Sequence, residues 1–151
     1  MTTKTQTKRY LIPVARRAAI CRETGAIEIR YTTSRGAETY GWNICTLRID
    51  GRRVASCKGG GYDMKGTCLA DWIKKQFPNE LRRLSPANYY GLYFWDPRAK
   101  KFRKHWRPGY IVGLDGGCGW NSMERILNAI GFRLVWRGES AKCDWYTLEA
   151  L

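Results

Sequence analysis

The chain has 151 residues, which is enough for a single domain with a substantial core. Its composition, 44% hydrophobic and 26% charged, is that of a globular protein and excludes an intrinsically disordered chain. No apolar run approaches the roughly 20 residues of a membrane-spanning helix, so we expect no membrane partner. Twenty-seven Lys and Arg against 13 Asp and Glu give a net charge of +14, which favours an anionic partner.

The six cysteines are widely spaced and form no C-x-x-C pair, and the single histidine, His105, has no metal-binding partner nearby. This pattern does not fit a zinc site, so we expect no metal and no cofactor. The N-terminus lacks the apolar segment of a secretory signal. We therefore expect reduced thiols, several of them in the core, in a cytoplasmic protein. The cysteines are Cys21, Cys45, Cys57, Cys68, Cys118 and Cys143.

In chain order, residues 1–9 are predicted to be a flexible basic tail, and residues 10–151 a single α+β domain. Pro13 disfavours a continuous helix, so we expect an extended start and only a short helical turn before Gly25. The segment "AIEIRYTT" alternates with period two and predicts a strand. A second alternating segment and an Asp50-Gly51 hairpin turn, followed by "RRVASCK", complete three antiparallel strands.

Two amphipathic helices are predicted in the rest of the chain. The first begins with an N-cap at Asp63 and runs to about Phe77, where Pro78 ends it. The second runs from near Asn121 to Gly131, with an inward apolar stripe of Met123, Ile126, Leu127 and Ile130. Strands are expected at "NYYGLYFW" and "YIVGLD", and "KFRKHW" is expected to be a strand or an extended loop. "RLVWRG" with "DWYTLEA" predicts a closing hairpin. The predicted fold class is α+β, an antiparallel β-sheet with two α-helices packed on one face.

A glycine-rich turn precedes each predicted helix. "GGGYD" and "GCGWN" share the pattern G-x-G-aromatic-[DN], 58 positions apart, and each follows a strand. Internal duplication and independent use of the same turn both account for this. Glycines allow close approach of another group, and the first amides of a helix attract anions, so the two turns are candidate phosphate sites. The alternative is that the glycines only turn the chain.

The candidate ligand-binding residues are backbone amides, cations and stacking rings in and beside the two turns. "GYDMKGT" is close to a P-loop, but its lysine precedes the second glycine and no magnesium-binding segment follows, so nucleotide hydrolysis is not expected. The residues are Lys58, Gly60, Gly61, Tyr62, Lys65, Thr67, Gly117, Gly119, Trp120 and Asn121.

A second candidate site is the segment "YYGLYFWDPRAKKFRKHW", in which aromatic rings alternate with cations. Rings stack on bases and cations hold phosphates, as in sites for single strands and nucleotides. The alternative is an exposed hairpin with a basic outer face and an aromatic inner one. The candidate residues of this strip are Tyr93, Arg98, Lys101, Arg103, Lys104 and Trp106.

No catalytic residues are predicted. Paired carboxylates at a suitable spacing and a G-x-S-x-G motif are not found, and the chain has one histidine. Cys118 lies close to a predicted helix N-terminus, but it would need His105 as a base to act as a nucleophile. The sequence therefore indicates a binding protein rather than an enzyme.

The segments "GGGYDMKGT" and "LDGGCGWNSMERILNAIGF" resemble small proteins of unknown function encoded by bacteriophages and prophages. Viral proteins of this size include nucleotide sponges, which sequester immune signalling nucleotides without cleaving them. The resemblance implies a non-enzymatic, anti-defence binder of a phosphorylated nucleotide in the cytoplasm of a bacterial host cell. Since sponges commonly bind at subunit interfaces, a homo-oligomer is a candidate state. The alternatives are an RNA- or DNA-binding module and a viral inhibitor that acts by protein–protein contact.

Overall fold

A computed structural model describes residues 10–32, 43–59, 64–86, 91–114 and 119–151. The predicted tail and several glycine-turn residues, Gly60, Gly61, Tyr62 and Gly117, lie outside the described residues, as do Asp63 and Cys118. Within the described ranges, no helix is long and apolar enough to cross a membrane.

The structure is α+β, with four helices, a five-stranded sheet and a three-stranded sheet. In chain order the elements are α1 Val14–Thr24, β1 Ala26–Tyr31, β2 Asn43–Ile49, β3 Arg52–Gly59, α2 Met64–Gln76, α3 Pro78–Arg83, β4 Leu92–Asp96, β5 Lys101–Arg103, β6 Ile111–Leu114, α4 Trp120–Ile130, β7 Phe132–Ser140 and β8 Cys143–Ala150.

The five-stranded sheet has the order β3-β2-β1-β8-β7, and every pair of neighbours is antiparallel. The predicted turn between β2 and β3 is confirmed: Asp50 and Gly51 have φ angles of 50° and 79°, as a two-residue hairpin with a right-handed twist requires. The predicted alternation of β1 is also confirmed, because Ile27, Ile29 and Tyr31 are buried. The closing hairpin forms as β7 and β8.

The N-terminal segment differs from its prediction. Instead of an extended start with one helical turn, α1 is an 11-residue helix. Pro13 precedes the helix at the N-cap, and its carbonyl accepts a hydrogen bond of 2.9 Å from Arg17 N. Proline disrupts a helix interior, but at a helix entrance it costs no backbone hydrogen bond, because the first amides have no intrahelical acceptor.

The prediction of one sheet with two helices on one face is not confirmed in that form. Pro78 ends α2 as expected, but it also begins the short helix α3, because proline at a first helical position fixes a suitable φ angle. Strands β4, β5 and β6 form a separate antiparallel sheet with the order β5-β4-β6. Strands β4 and β6 lie in segments predicted to be strands, and β5 lies in the segment predicted to be a strand or an extended loop. Their separation into a second sheet was not predicted.

Large apolar side chains join the helices to the five-stranded sheet. Phe77, at the end of α2, lies 5.8 Å from the ring of Trp72 and 5.3 Å from the ring of Phe132 in β7. The predicted inward stripe of α4 is buried, and Gly131, with a φ angle of 122°, ends that helix. The stripe consists of Met123, Ile126, Leu127 and Ile130.

The five cysteines among the described residues are free thiols, and three of them are buried. Cys68 Sγ donates a hydrogen bond of 3.3 Å to the carbonyl oxygen of Cys45, which ties α2 to β2. A side-chain hydrogen bond between Cys68 and Cys45, together with burial, raises the pKa of the Cys68 thiol. Burial likewise raises the pKa of Cys21, Cys57 and Cys143, so these thiols are mainly protonated at neutral pH.

Phe77→Ala is expected to lower the free energy of unfolding by about 3–5 kcal/mol, because the ring is 1% exposed and its removal leaves a cavity between α2 and β7. Urea denaturation measures the change. Val14→Ala is the control, since Val14 is exposed on α1 and should change stability by less than about 0.5 kcal/mol. Equal effects of the two substitutions would contradict this account of the core.

Candidate functional site

The starts of α2 and α4 meet beside strand β8. Lys65, in the first turn of α2, places its Nζ atom 4.8 Å from the centroid of the Trp120 ring. Trp120 is the first residue of α4, and its ring lies 4.9 Å from the ring of Tyr146, with the planes tilted by 38°. The structure thus brings together one candidate residue from each glycine-rich turn.

Lys65 is bound to acceptors inside the protein. Its Nζ atom lies 3.4 Å from Oδ2 of Asp144 and 3.3 Å from the hydroxyl oxygen of Tyr146. Asp144 is 1% exposed, and it also accepts a hydrogen bond of 3.2 Å from the Tyr31 hydroxyl. Desolvation of a carboxylate costs several kcal/mol unless a cation and hydrogen bonds compensate for it. Lys65 therefore neutralises Asp144, which makes it a poor source of charge for an external phosphate.

Glu124, one turn into α4, adds a further negative charge beside Lys65. Desolvation raises the pKa of the Glu124 carboxyl by more than the hydrogen bond from Trp120 and the charge of Lys65 lower it. One lysine against the two carboxylates Asp144 and Glu124 leaves a net charge of −1. Among the described side chains, the meeting point of the two helices therefore does not concentrate positive charge.

The other candidates near the helix starts are arranged as follows. Gly119 is the N-cap of α4 and no side chain among the described residues caps this helix, which leaves the first backbone amides without a side-chain acceptor. Thr67 hydrogen-bonds the Cys57 side chain, and Asn121 is exposed. Lys58 belongs to β3, and its side chain lies outside the described part of the structure.

The second candidate site forms a face of the small sheet, which we call the aromatic face and define as Tyr93, Trp95 and Phe102. The Phe102 ring lies 4.9 Å from the Trp95 ring and 5.9 Å from the Tyr93 ring, edge-on to both. Trp95 and Phe102 are paired across β4 and β5, so their side chains lie on the same side of the sheet. Phe102 is 67% exposed, and Tyr93 and Trp95 are partly exposed.

Gly113 makes room for the Tyr93 ring. The two residues are paired between β4 and β6. A Cβ atom at position 113 would lie 2.3 Å from the Tyr93 hydroxyl oxygen, and real Cβ atoms are essentially never that close to another atom. The ring therefore lies flat across β6, and a larger residue at position 113 would displace it.

Three cavities adjoin the small sheet and share residues. The arginine cavity, about 720 Å³, is lined by Asp96, Arg98, Arg103, Arg107 and Tyr110 among others. The Phe102 cavity, about 500 Å³, is lined by Ser85, Pro86, Phe102, Arg103, Lys104 and His105. The Arg82 cavity, about 390 Å³, is lined by Arg82, His105, Trp106, Arg107 and Pro108. Arg103, His105 and Arg107 each line two of the cavities, so the three cavities adjoin one another around residues 103–108, and we call them together the groove.

This groove carries strong positive charge. Its described lining includes five Arg and Lys side chains and one carboxylate, that of Asp96, which give a net charge of +4. The cations are Arg82, Arg98, Arg103, Lys104 and Arg107.

Asp96 is hydrogen-bonded on both oxygens. Oδ1 accepts from the backbone amides of Arg98 and Ala99 at 3.0 and 3.2 Å, and Oδ2 accepts from Nε and Nη2 of Arg103 at 3.2 and 3.0 Å. Desolvation raises the pKa of Asp96, but the bonds from Ala99, Arg103 and Arg98 lower it by more, so its pKa lies below the ordinary value. The carboxylate shapes the β4–β5 turn and orients Arg103.

No family model, curated protein or solved structure matched the chain.

The structure divides the predicted basic and aromatic strip into surface and core. Arg98, Lys101 and Lys104 are exposed, and Arg103 is partly exposed. Trp106 is buried, and its indole Nε1 donates a hydrogen bond of 3.3 Å to the carbonyl of Tyr110, so its ring belongs to the core rather than to a stacking surface. The residue types suited to stacking on a base are instead Trp95 and Phe102, which were not selected from the sequence.

Two further residues were missed, Asp144 and Tyr146, although "DWYTLEA" contains a signal for them. Its period-two pattern places Asp144 and Tyr146 on the same side of β8 as Leu148. A carboxylate on the apolar side of a strand requires a partner, which indicates that a cation lies opposite.

Lys65→Met is expected to destabilise the protein by at most about 3 kcal/mol. Breaking a fully buried ion pair costs about 3–5 kcal/mol, and the cost here is smaller because the Lys65 side chain is partly exposed. Chemical denaturation measures the loss. Adding Asp144→Asn should restore much of it, since a neutral amide needs no cation. If the double variant is less stable than Lys65→Met alone, the Lys65–Asp144 pair does not have this role.

Glu124→Gln is expected to stabilise the protein at neutral pH. A raised pKa means that folding favours the protonated carboxyl, so the stability that Glu124 contributes below its unfolded pKa, about 4.3, is lost as the pH rises through the folded value. The neutral glutamine does not undergo this loss. Unfolding curves at pH 7.5 and pH 4 should show a stabilisation at the higher pH. The difference from the parent protein should shrink at the lower pH, and a variant less stable than the parent at pH 7.5 would refute the assignment.

Proposed function

We propose that this protein is a non-enzymatic binder of phosphorylated ligands, and that its ligand is single-stranded nucleic acid bound along the small sheet. The observation that carries the proposal is the continuity of the aromatic face with the cationic groove through Phe102, which belongs to both. Rings offer stacking surfaces to bases of any sequence, and nearby cations follow the phosphate backbone. The two properties occur together on the same three-residue strand, β5.

Exposure supports this use of the aromatic face. A phenylalanine that is 67% exposed contributes little to the core, because most of its apolar surface remains in water. The Phe102 ring nevertheless holds a defined position against Trp95 and Tyr93. A base stacked on such a ring contributes about 1–3 kcal/mol of binding free energy, which explains how an exposed aromatic residue can be useful.

The charge distribution supports an extended anion rather than a single phosphate. The Arg82, Phe102 and arginine cavities adjoin one another around residues 103–108, and each of the three is lined by at least two cations. A single strand repeats one negative charge at each nucleotide, so it can contact cations spaced along a groove. The total charge of +14 would add attraction at long range.

A phosphorylated mononucleotide bound between the starts of α2 and α4 is the second candidate, and it includes the role of a viral nucleotide sponge. Two features favour it. The first backbone amides of α4, next to the N-cap Gly119, attract anions, and the ring of Trp120 lies beside them. The carboxylates of Asp144 and Glu124 act against it. This second candidate needs cations beyond the described residues, whereas the groove has its own.

Phe102→Ala is expected to weaken the binding of single-stranded RNA or DNA by about 1–3 kcal/mol, because it removes one stacking surface. Fluorescence anisotropy with labelled, mixed-sequence single strands measures the affinity, with duplexes of the same sequence alongside. Between about 50 and 200 mM salt, the affinity of each protein should fall steeply, and Phe102→Ala should leave this slope unchanged.

Trp136→Ala is the matched control, since Trp136 is also an exposed ring, at 56%, but lies on β7 of the other sheet. It should bind single strands as the parent protein does. Thermal-shift measurements with mononucleotides and cyclic nucleotides test the second candidate in parallel. Stabilisation by a nucleotide, without binding of any strand, would reject the nucleic-acid proposal and favour the helix starts. If neither strands nor nucleotides bind, both candidates fail, and the inhibitor that acts by protein–protein contact is the remaining hypothesis.

A further inference from the structure

The arginine cavity differs from the rest of the groove in its concentration of guanidinium groups. Arg98 lies in the β4–β5 turn, Arg103 ends β5, and Arg107 precedes the turn that leads into β6. All three line one cavity of about 720 Å³, and among the described residues of its lining Asp96 has the only carboxylate. Three cations against one anion leave a net charge of +2.

Two of the three guanidinium groups are uncommitted within the described part of the chain. Asp96 binds Nε and Nη2 of Arg103, and its other oxygen is occupied by the amides of Arg98 and Ala99. The contacts recorded for Arg98 and Arg107 are backbone contacts, from Arg98 N to Asp96 and from Tyr110 N to the Arg107 carbonyl. Their side chains therefore remain available to an incoming anion, and Arg103 retains its Nη1 donors.

The position of the cavity relates it to the aromatic face. Trp95 and Asp96 are neighbours in β4, and Phe102 and Arg103 are neighbours in β5. Because side chains alternate along a strand, the rings and the arginine cavity lie on opposite sides of the same strand pair, next to the β4–β5 turn. A strand stacked on the aromatic face therefore reaches the arginine cavity only where its backbone passes around this turn, which is a place for one of its ends.

We propose that the arginine cavity binds a phosphomonoester, the terminal phosphate of a nucleic-acid strand. A phosphomonoester carries about −1.5 to −2 charges at neutral pH and three terminal oxygens, whereas an internal phosphodiester carries one charge. The net charge of +2 matches the former, and guanidinium groups bind phosphate oxygens through paired hydrogen bonds. The identification of the source as a strand end rests on the proposed function, while the phosphate chemistry of the cavity does not.

The test compares single strands of one sequence that end in either a phosphate or a hydroxyl group, at the 5′ end in one series and at the 3′ end in another. The fluorescent label is on the opposite end. The parent protein should bind the phosphate-ended strand of one series about tenfold more tightly than its hydroxyl-ended counterpart. The double variant Arg98→Gln/Arg107→Gln should bind both strands equally, whereas Phe102→Ala should weaken both and preserve their ratio.

The control Arg52→Gln/Arg53→Gln removes the same charge from exposed positions of β3, away from the cavity. It should keep the tenfold preference. In a second arm, inorganic phosphate should raise the melting temperature of the parent protein and of this control, but not that of Arg98→Gln/Arg107→Gln. Circular dichroism verifies that each variant is folded.

The outcomes separate the two proposals. Strands that bind without preference for a terminal phosphate would overturn the strand-end assignment and leave the proposed function standing. If no strand binds but phosphate still stabilises the parent protein through Arg98 and Arg107, the proposed function fails and the cavity remains an anion site. A preference or a phosphate effect that persists in Arg98→Gln/Arg107→Gln would overturn the cavity proposal itself.

Discussion

The burial of Asp144 is the constraint on which the arrangement around the first candidate site depends. A carboxylate that is 1% exposed, in a strand paired on both sides, requires a cation and hydrogen-bond donors. Lys65 of α2 and Tyr31 of β1 supply them, and the Lys65 ammonium group in turn contacts the rings of Tyr146 and Trp120. One buried charge therefore fixes the start of α2 relative to β8 and places the start of α4 beside it. The closeness of the starts of α2 and α4 has a structural explanation that requires no ligand.

The small sheet differs in that its inner side packs into the core, whereas its outer side leaves an aromatic ring in contact with water. Phe94 and Val112 of the inner side are buried, as a packed sheet requires, whereas the outer side exposes Phe102. The outer rings are nevertheless ordered: Gly113 provides the space in which Tyr93 lies, and Trp95 and Tyr93 both contact the edge of Phe102. Because Phe102 remains mostly in water, its ring adds little to the stability of the fold, and the proposed stacking of a base rests on this exposed and ordered ring.

Local patterns predicted the elements well, and long-range relations account for what was not predicted. The Asp50-Gly51 turn, the alternation of β1 and the apolar stripe of α4 depend on neighbouring residues, and the structure confirms them. The division of the strands into two sheets depends on which strands pair, and alternation within a strand carries no information about its partner. The second candidate site was predicted only in part, because it too depends on long-range relations. Rings and cations in the strip were visible in the sequence, but the choice of Trp106 over Trp95 and Phe102 required knowledge of which side of the small sheet is covered.

These observations also show why glycine-rich helix starts and a high net charge do not by themselves locate an anion site. Lys65 stands at such a start, yet its charge is matched within the protein by Asp144, and Glu124 adds a further opposing charge. Arg98 and Arg107 belong to turns with no such motif, and their guanidinium groups have no acceptor among the described residues. Attraction for an external anion comes from cations that lack an internal counter-charge, because each paired cation has already exchanged its hydration for a protein carboxylate. By that criterion the groove around residues 103–108 has more available positive charge than the described residues of the two helix starts.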